Sequence, residues 1–330
     1  MQIPMIHPEQ NQPCALLQPS GCGGQMEAIA RWFAQRQNSA QAEALHPATI
    51  LFAADHGVYL AKPERISTRM LLERAVAPDS LIRELAMQAD CALHFVDVGV
   101  KGSLAALDAV EHAKVRRAGS ADIRSAAAMT QADYWEAVGI GETMAKRAIH
   151  NGANLLVAGT LASGDRVAVA ALSAALTGLP PEAVLTPDAT DSTSDYTQDL
   201  IAVEQALQRA QGTPSHDLLM ALGGLELAAV AGLYRAAAQS GVPILIDGLA
   251  SAAAALAASA WDVRITGWML ASHLSNDGAH RALLDELGLE ALVELKHSVD
   301  GGKVATLLLP MLQSAIALQH GLTRIEAQAT

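Results

Sequence analysis

Short, nearly continuous apolar runs recur along this chain, and each ends abruptly in small and acidic residues. The pattern appears at Thr49-Ile50-Leu51-Phe52-Ala53-Ala54-Asp55-His56-Gly57 and at Leu93-His94-Phe95-Val96-Asp97-Val98-Gly99. It returns at Leu218-Leu219-Met220-Ala221-Leu222-Gly223-Gly224-Leu225-Glu226 and at Val242-Pro243-Ile244-Leu245-Ile246-Asp247-Gly248, and less cleanly at Trp268-Met269-Leu270-Ala271-Ser272-His273. Runs of this length without polar alternation read as parallel strands covered on both faces, and a helical pattern follows each one. Helical periodicity begins near Gly24 and passes through Met26, Ile29, Ala30 and Phe33. It recurs over 71–89, 134–151 and 168–176, with a further strand at 155–159. Residues 283–287 and 304–320 read as helices around the turn Asp300-Gly301-Gly302. Segments 59–67, with Pro63, and 186–197, rich in Asp, Ser and Thr, read as loops.

This alternation predicts an α/β fold, a doubly wound and mostly parallel sheet with helices on both faces. Segments 1–40 and 288–330 are expected to form a small helical domain. It would sit beside a large Rossmann-like domain, 41–287, that carries the cleft. In open parallel sheets the ligand crevice lies beyond the carboxyl ends of the strands. Asp55, His56, Asp97, Glu226, Asp247, Ser272 and His273 are thereby expected to line one edge, with Gly223 and Gly224 at a helix start among them.

Composition narrows the possible partners. Apolar residues make up 51% of the 330 positions but aromatics only 3%, so the core must be built from alanine-rich helices packed closely on the sheet. No uninterrupted apolar stretch is long enough to span a bilayer. The first residues lack a basic segment running into an apolar one, so no secretory signal is expected. Cys14, Cys22 and Cys91 have neither metal-ligand nor redox spacing, which fits reduced thiols in a cytoplasm. A net charge of −12 argues against nucleic acid or an anionic membrane as partner.

Taken singly, the polar strand-end residues also have plain architectural readings. Asp55 and Asp247 could cap the helices that follow, His56 could fill a gap, and Glu226 could oppose a helix dipole. Asp300-Gly301-Gly302-Lys303 could be no more than a turn.

In their order along the chain, the junctions resemble the nicotinate-nucleotide–dimethylbenzimidazole phosphoribosyltransferase family of cobamide lower-ligand assembly. The segments that carry the resemblance are Phe52-Ala53-Ala54-Asp55-His56-Gly57-Val58, Val96-Asp97-Val98-Gly99-Val100, and Ala221-Leu222-Gly223-Gly224-Leu225-Glu226. Pro243-Ile244-Leu245-Ile246-Asp247-Gly248 and Ser272-His273, followed by Gly278-Ala279-His280-Arg281, continue it. The likeness runs from about Pro19 to Gln319. It implies replacement of nicotinate on nicotinate mononucleotide by a benzimidazole nitrogen, with inversion at the anomeric carbon. The expected partners are thus a nucleotide donor and an aromatic base, with no cofactor and no metal, in a homodimer or in a heterodimer with a homologue.

The chain departs from the family where substrates would be gripped. The family's glutamate between glycines, laid without gaps over 292–310, falls on Gly301, and the neighbouring Asp300 carries the carboxylate. The resemblance therefore offers Asp300 as the base. The family's phosphate loop corresponds to Gly159-Thr160-Leu161-Ala162-Ser163-Gly164-Asp165-Arg166-Val167. The helix start at Gly164, with Arg166, becomes the expected anion site. A family lysine on the phosphate falls near Asp199, and Arg69 stands where a glutamine is usual. Two readings stay open at this level: an active transferase, or a degenerate paralogue that binds a ligand or pairs with an active homologue.

Overall fold

Apolar runs become strands wherever both of their faces can be covered. The structure, a computed structural model, describes residues 24–58, 66–115, 119–187, 192–295 and 301–329. Helix α1 (Gly24–Arg36) is followed by strand β1 (Pro47–Ala54), which is buried at every position. Helices α2 (Thr68–Val76) and α3 (Leu81–Gln88) lead into β2 (Ala92–Gly99) and a short β3 (Val110–His112). Next come α4 (Gln131–His150), β4 (Leu155–Leu161), α5 (Arg166–Thr177) and α6 (Pro181–Val184). Helices α7 (Thr193–Arg209), α8 (Leu218–Leu222) and α9 (Leu225–Gln239) precede β5 (Ile244–Ile246) and α10 (Leu249–Ser259). The last elements are β6 (Met269–Leu274), α11 (Gly278–Leu287), β7 (Ala291–Glu294) and α12 (Lys303–Ala329).

The strands form one sheet in the order β3-β2-β1-β4-β5-β6-β7. Every pairing is parallel, where the sequence suggested only mostly so. The chain winds outward from β1 through β2 to β3, then outward the other way from β4 to β7. The reversal falls between β1 and β4, whose ends pair as Ala53 with Leu161. That reversal point is where a parallel sheet opens a crevice.

Side chains alternate across the strands, so neighbouring residues enter different cores. Ile50, Phe52 and Ala54 join Leu156 and Ala158 in a large cluster covered by helices that include α4, α5, α9 and α10. Leu51 and Ala53 face the other way, onto Leu72 of α2 and Ile82 of α3. Leu155, Val157 and Leu245 meet Ile29 and Phe33 of α1 and Leu309 and Leu312 of α12. Among the described residues no helix is long and apolar enough to cross a membrane.

Three readings of the sequence are corrected. The run 218–222 is not a strand but the short helix α8; five apolar residues carry no periodicity that separates a strand from a buried helical turn. The helix expected over 71–89 is two helices. Pro78 forces the residue before it out of the helical region, and Ala77 sits at φ −59°, ψ 143°. The loop expected over 186–197 turns helical at Thr193. There Ser192 and Asp195 form a capping box, the other use of an Asp- and Ser-rich stretch. Residues 188–191 and 59–65 lie outside the described residues.

Alanine and glycine allow the helices to pack almost backbone to backbone. A Cβ on Gly141 of α4 would lie 1.8 Å from the Ala229 carbonyl oxygen of α9, and one on Gly232 would lie 2.1 Å from the Val138 oxygen. Gly141→Ala would gain roughly 1 kcal/mol of helix propensity. Because the obstacle is backbone and cannot rotate away, overpacking of about 2–3 kcal/mol wins. The expected outcome is a net loss of at least about 1 kcal/mol in urea unfolding, with overall secondary structure kept.

Candidate active site

At the end of β1 the chain passes from buried alanines straight into Asp55 and His56. Asp55 is half-buried, and its Oδ2 accepts the Lys101 backbone N–H at 2.6 Å, tying the ends of β1 and β2 together. His56 is fully buried, and its Nε2 donates to Glu226 Oε1 at 2.8 Å. Glu226 arrives from the first turn of α9, immediately after Gly223 and Gly224. Gly224 is required by proximity. A Cβ there would stand 2.5 Å from His56 Cε1 and 2.6 Å from each Glu226 oxygen. Neither His56 Nδ1 nor Glu226 Oε2 meets a hydrogen-bond partner among the described residues.

Asp165, at the N-cap of α5 beyond the end of β4, is coupled electrostatically to this pair. It follows Gly164, which holds φ 81°. Burial pushes the Asp165 carboxyl up, His56 pulls it back, Glu226 pushes again, and the result is about 6. Burial works against a charged His56, yet Glu226, with Asp165 and Asp55 further off, more than offsets it and holds the imidazole above its ordinary value. An imidazole among carboxylates thus sits at the β1/β4 reversal, where the crevice is expected. In the sequence Asp165 had figured only as one residue of the expected phosphate loop.

The other expected site residues are engaged elsewhere. Asp97 is buried; its Oδ1 accepts the Val100 N–H at 2.8 Å, and Lys114 Nζ lies 3.3 Å from Oδ2. Arg166 reaches toward α7. Its Nη2 donates to the Thr186 carbonyl at 2.7 Å, and its Nη1 lies 3.4 Å from buried Asp199. Asp247 is buried, and its oxygens accept the Gly302 N–H at 2.7 Å and the Ala305 N–H at 2.9 Å, capping α12 from another strand. Burial raises the Asp247 carboxyl, with the Ala305 and Gly302 N–H groups, His273 and Lys303 opposing.

Ser272 Oγ and His273 Nδ1 share a 2.9 Å hydrogen bond inside the core, and the His273 ring meets His280 edge-on at 5.6 Å. Burial, helped by His273, lowers His280 to about 4, and its Nδ1 accepts the Ser275 N–H at 3.1 Å. Asp300 lies outside the described residues; the turn is described from Gly301. Among the described residues no three His, Cys, Asp or Glu side chains converge as metal ligands.

An all-parallel sheet whose reversal point holds a buried acid–base pair has the layout of an α/β enzyme crevice for a small molecule. A family model described as phosphoribosyltransferase matches residues 7–329. A nicotinate-nucleotide–dimethylbenzimidazole phosphoribosyltransferase of Chromobacterium violaceum is 40% identical over 94% of this chain and 91% of its own length. One of Thermus thermophilus is 35% identical over 94% of both. A crystal structure of the Thermus thermophilus enzyme superposes with a TM-score of 0.84, at 34% identity, over 92% of each chain. The chain belongs to the nicotinate-nucleotide–dimethylbenzimidazole phosphoribosyltransferase family.

Removing one partner of a buried pair leaves the other charge uncompensated, at about 3–5 kcal/mol. Glu226→Gln is expected to lose stability on that order in urea unfolding at pH 6. The pH dependence has a fixed sign. Because the folded His56 value is raised, the pair stabilises fully below the unfolded value near 6.5 and fades as pH rises through the folded one. The wild type should lose this stability on the alkaline side, and Glu226→Gln should lack the slope.

Proposed function

We propose that this chain moves a phosphoribosyl group from nicotinate mononucleotide to a ring nitrogen of a benzimidazole-like base. The observation that carries the reading is the end-to-end match to relatives of that name at 35–40% identity. The lone pair of one azole nitrogen forms a bond to C1′ of the ribose. The bond from C1′ to the nicotinate nitrogen breaks, and its electron pair returns to the departing ring. Attack from the opposite face inverts the anomeric carbon. The second azole nitrogen then gives up its proton to a carboxylate.

The resemblance assigns that carboxylate to Asp300. Backbone N–H groups at the start of α5, beside Gly164, are suited to the donor's phosphate. Asp55 borders the crevice at the end of β1, and the buried His56–Glu226 pair, with Gly223 and Gly224, packs behind it. Asp247 holds the start of α12, and Ser272 and His273 brace the neighbouring β6. The reading also takes the sheet as Rossmann-like, with residues 1–40 and 288–330 as a smaller unit. Phe33 of α1 and Leu309 of α12 belong to one buried cluster, which supports that pairing. A cytoplasmic homodimer completes it.

Purified protein incubated with nicotinate mononucleotide and dimethylbenzimidazole should release nicotinate and form an α-riboside phosphate, followed by chromatography. Absence of release with any azole acceptor would refute the reading. Asp300→Asn should lower kcat by about 100-fold or more if the resemblance places the base correctly.

A further inference from the structure

Helix α12 opens on a lysine, at a place that disfavours one. Lys303 is its first residue, no acid stands in its first turn, and a cation there opposes the positive end of the helix dipole. The amides of that turn do not need it, because Asp247 accepts the Gly302 and Ala305 N–H groups. Helix formation therefore does not account for this charge.

Its surroundings do. The Lys303 side chain turns back over the glycines that precede it. A Cβ on Gly301 would lie 3.1 Å from Lys303 Nζ, 3.3 Å from Leu161 Cδ2 and 3.5 Å from the Thr160 carbonyl oxygen. These atoms surround one point at the carboxyl end of β4, where Leu161 pairs with Ala53 of β1. Strand order reverses there, so the half-buried lysine places its ammonium at the crevice. Only Ala162, Ser163 and Gly164 separate Leu161 from the N-cap of α5, and the Ser163 N–H is held by buried Thr68 Oγ1 at 2.9 Å.

We propose that Lys303 binds the phosphate of the donor nucleotide, together with the backbone N–H groups at the start of α5. The proposal rests on the transferase reading above and adds a specificity-determining residue to it. A phosphate approaching this edge meets the carboxyl groups of Asp55, Asp97, Asp165, Glu226 and Asp247, which oppose a second anion. Two nearby cations are drawn aside: Lys114 lies 3.3 Å from Asp97, and Arg166 reaches Asp199 and the Thr186 carbonyl. Lys303 supplies positive charge where the strand ends converge. An ammonium–phosphate hydrogen bond is charge-assisted and stronger than a neutral one. A nucleoside without the phosphate gains nothing from it, so this contact separates the nucleotide from its nucleoside.

The test titrates the full chain and its Lys303→Met and Lys303→Arg variants by calorimetry with nicotinate mononucleotide, nicotinate riboside and inorganic phosphate. Lys303→Met should bind the mononucleotide roughly 10- to 100-fold more weakly, the range for a hydrogen bond to a charged group. Its affinity for the riboside should be unchanged, and inorganic phosphate should bind more weakly than to the wild type. Lys303→Arg should recover part of the loss. In nicotinate release with dimethylbenzimidazole, the effect should fall on the donor KM more than on kcat. The urea midpoint should not fall, since the lysine opposes its own helix dipole.

Equal affinity of Lys303→Met and wild type for the mononucleotide overturns the assignment. An equal loss for the riboside overturns it too, because the ammonium would then face the nicotinate carboxylate or serve the fold alone. Both results leave the transferase reading standing. A wild type that binds the mononucleotide through Lys303 yet releases no nicotinate refutes the transferase reading and supports the phosphate contact. A wild type that does not bind the mononucleotide overturns both.

Discussion

The arrangement of this molecule depends on one buried contact, the hydrogen-bonded pair of His56 and Glu226. A charged pair removed from water is tolerable only when each partner has the other at close range, because either one alone would be an uncompensated charge in the core. That requirement fixes the end of β1 against the start of α9. It also explains the bare backbone at Gly224, since any side chain there would stand between the two groups. Asp165 owes its raised proton affinity first to burial, with His56 pulling it down and Glu226 pushing it up again, so the two members of the pair act on it in opposite directions.

A second constraint governs the far side of the reversal. Helix α12 is preceded by Gly302 where a capping side chain would normally stand, and the Gly302 and Ala305 N–H groups are satisfied by Asp247 instead. Gly301 and Gly302 hold φ 85° and 72°, a region that favours glycine, and a Cβ on Gly159 of β4 would lie 2.5 Å from the Gly302 nitrogen. Thr306 Oγ1 donates to the Gly302 carbonyl and lies 3.0 Å from Thr49 Oγ1. The turn that follows Asp300 is therefore fastened to β1, β4 and β5 together.

Much of the fold could be read from the chain because parallel strands covered on both faces leave unbroken apolar runs. The runs of β1, β2, β4 and β5 stood out for that reason, and so did the strand-end position of Asp55 and His56. The run at 218–222 misled because burial alone, without periodicity, does not distinguish helix from strand. The edge strands β3 and β7, three and four residues long, passed unseen because their partly exposed residues form no such run. Asp247 was legible as a cap, but the helix it caps lies far along the chain. No local pattern could have shown that. The pairing of Arg166 with Asp199 was hidden for the same reason.

The cap supplied by Asp247 also bears on how the chain comes together during synthesis. Leu155, Val157 and Leu245 emerge from the ribosome well before α12, whose Leu309 and Leu312 help to cover them. Until that final helix appears, one face of the nascent sheet stays partly bare. Asp247 meanwhile waits for the two amides it is destined to bind. The last segment made is thus a keystone, and a polypeptide stopped short of it would present a sticky apolar surface to chaperones and to its neighbours.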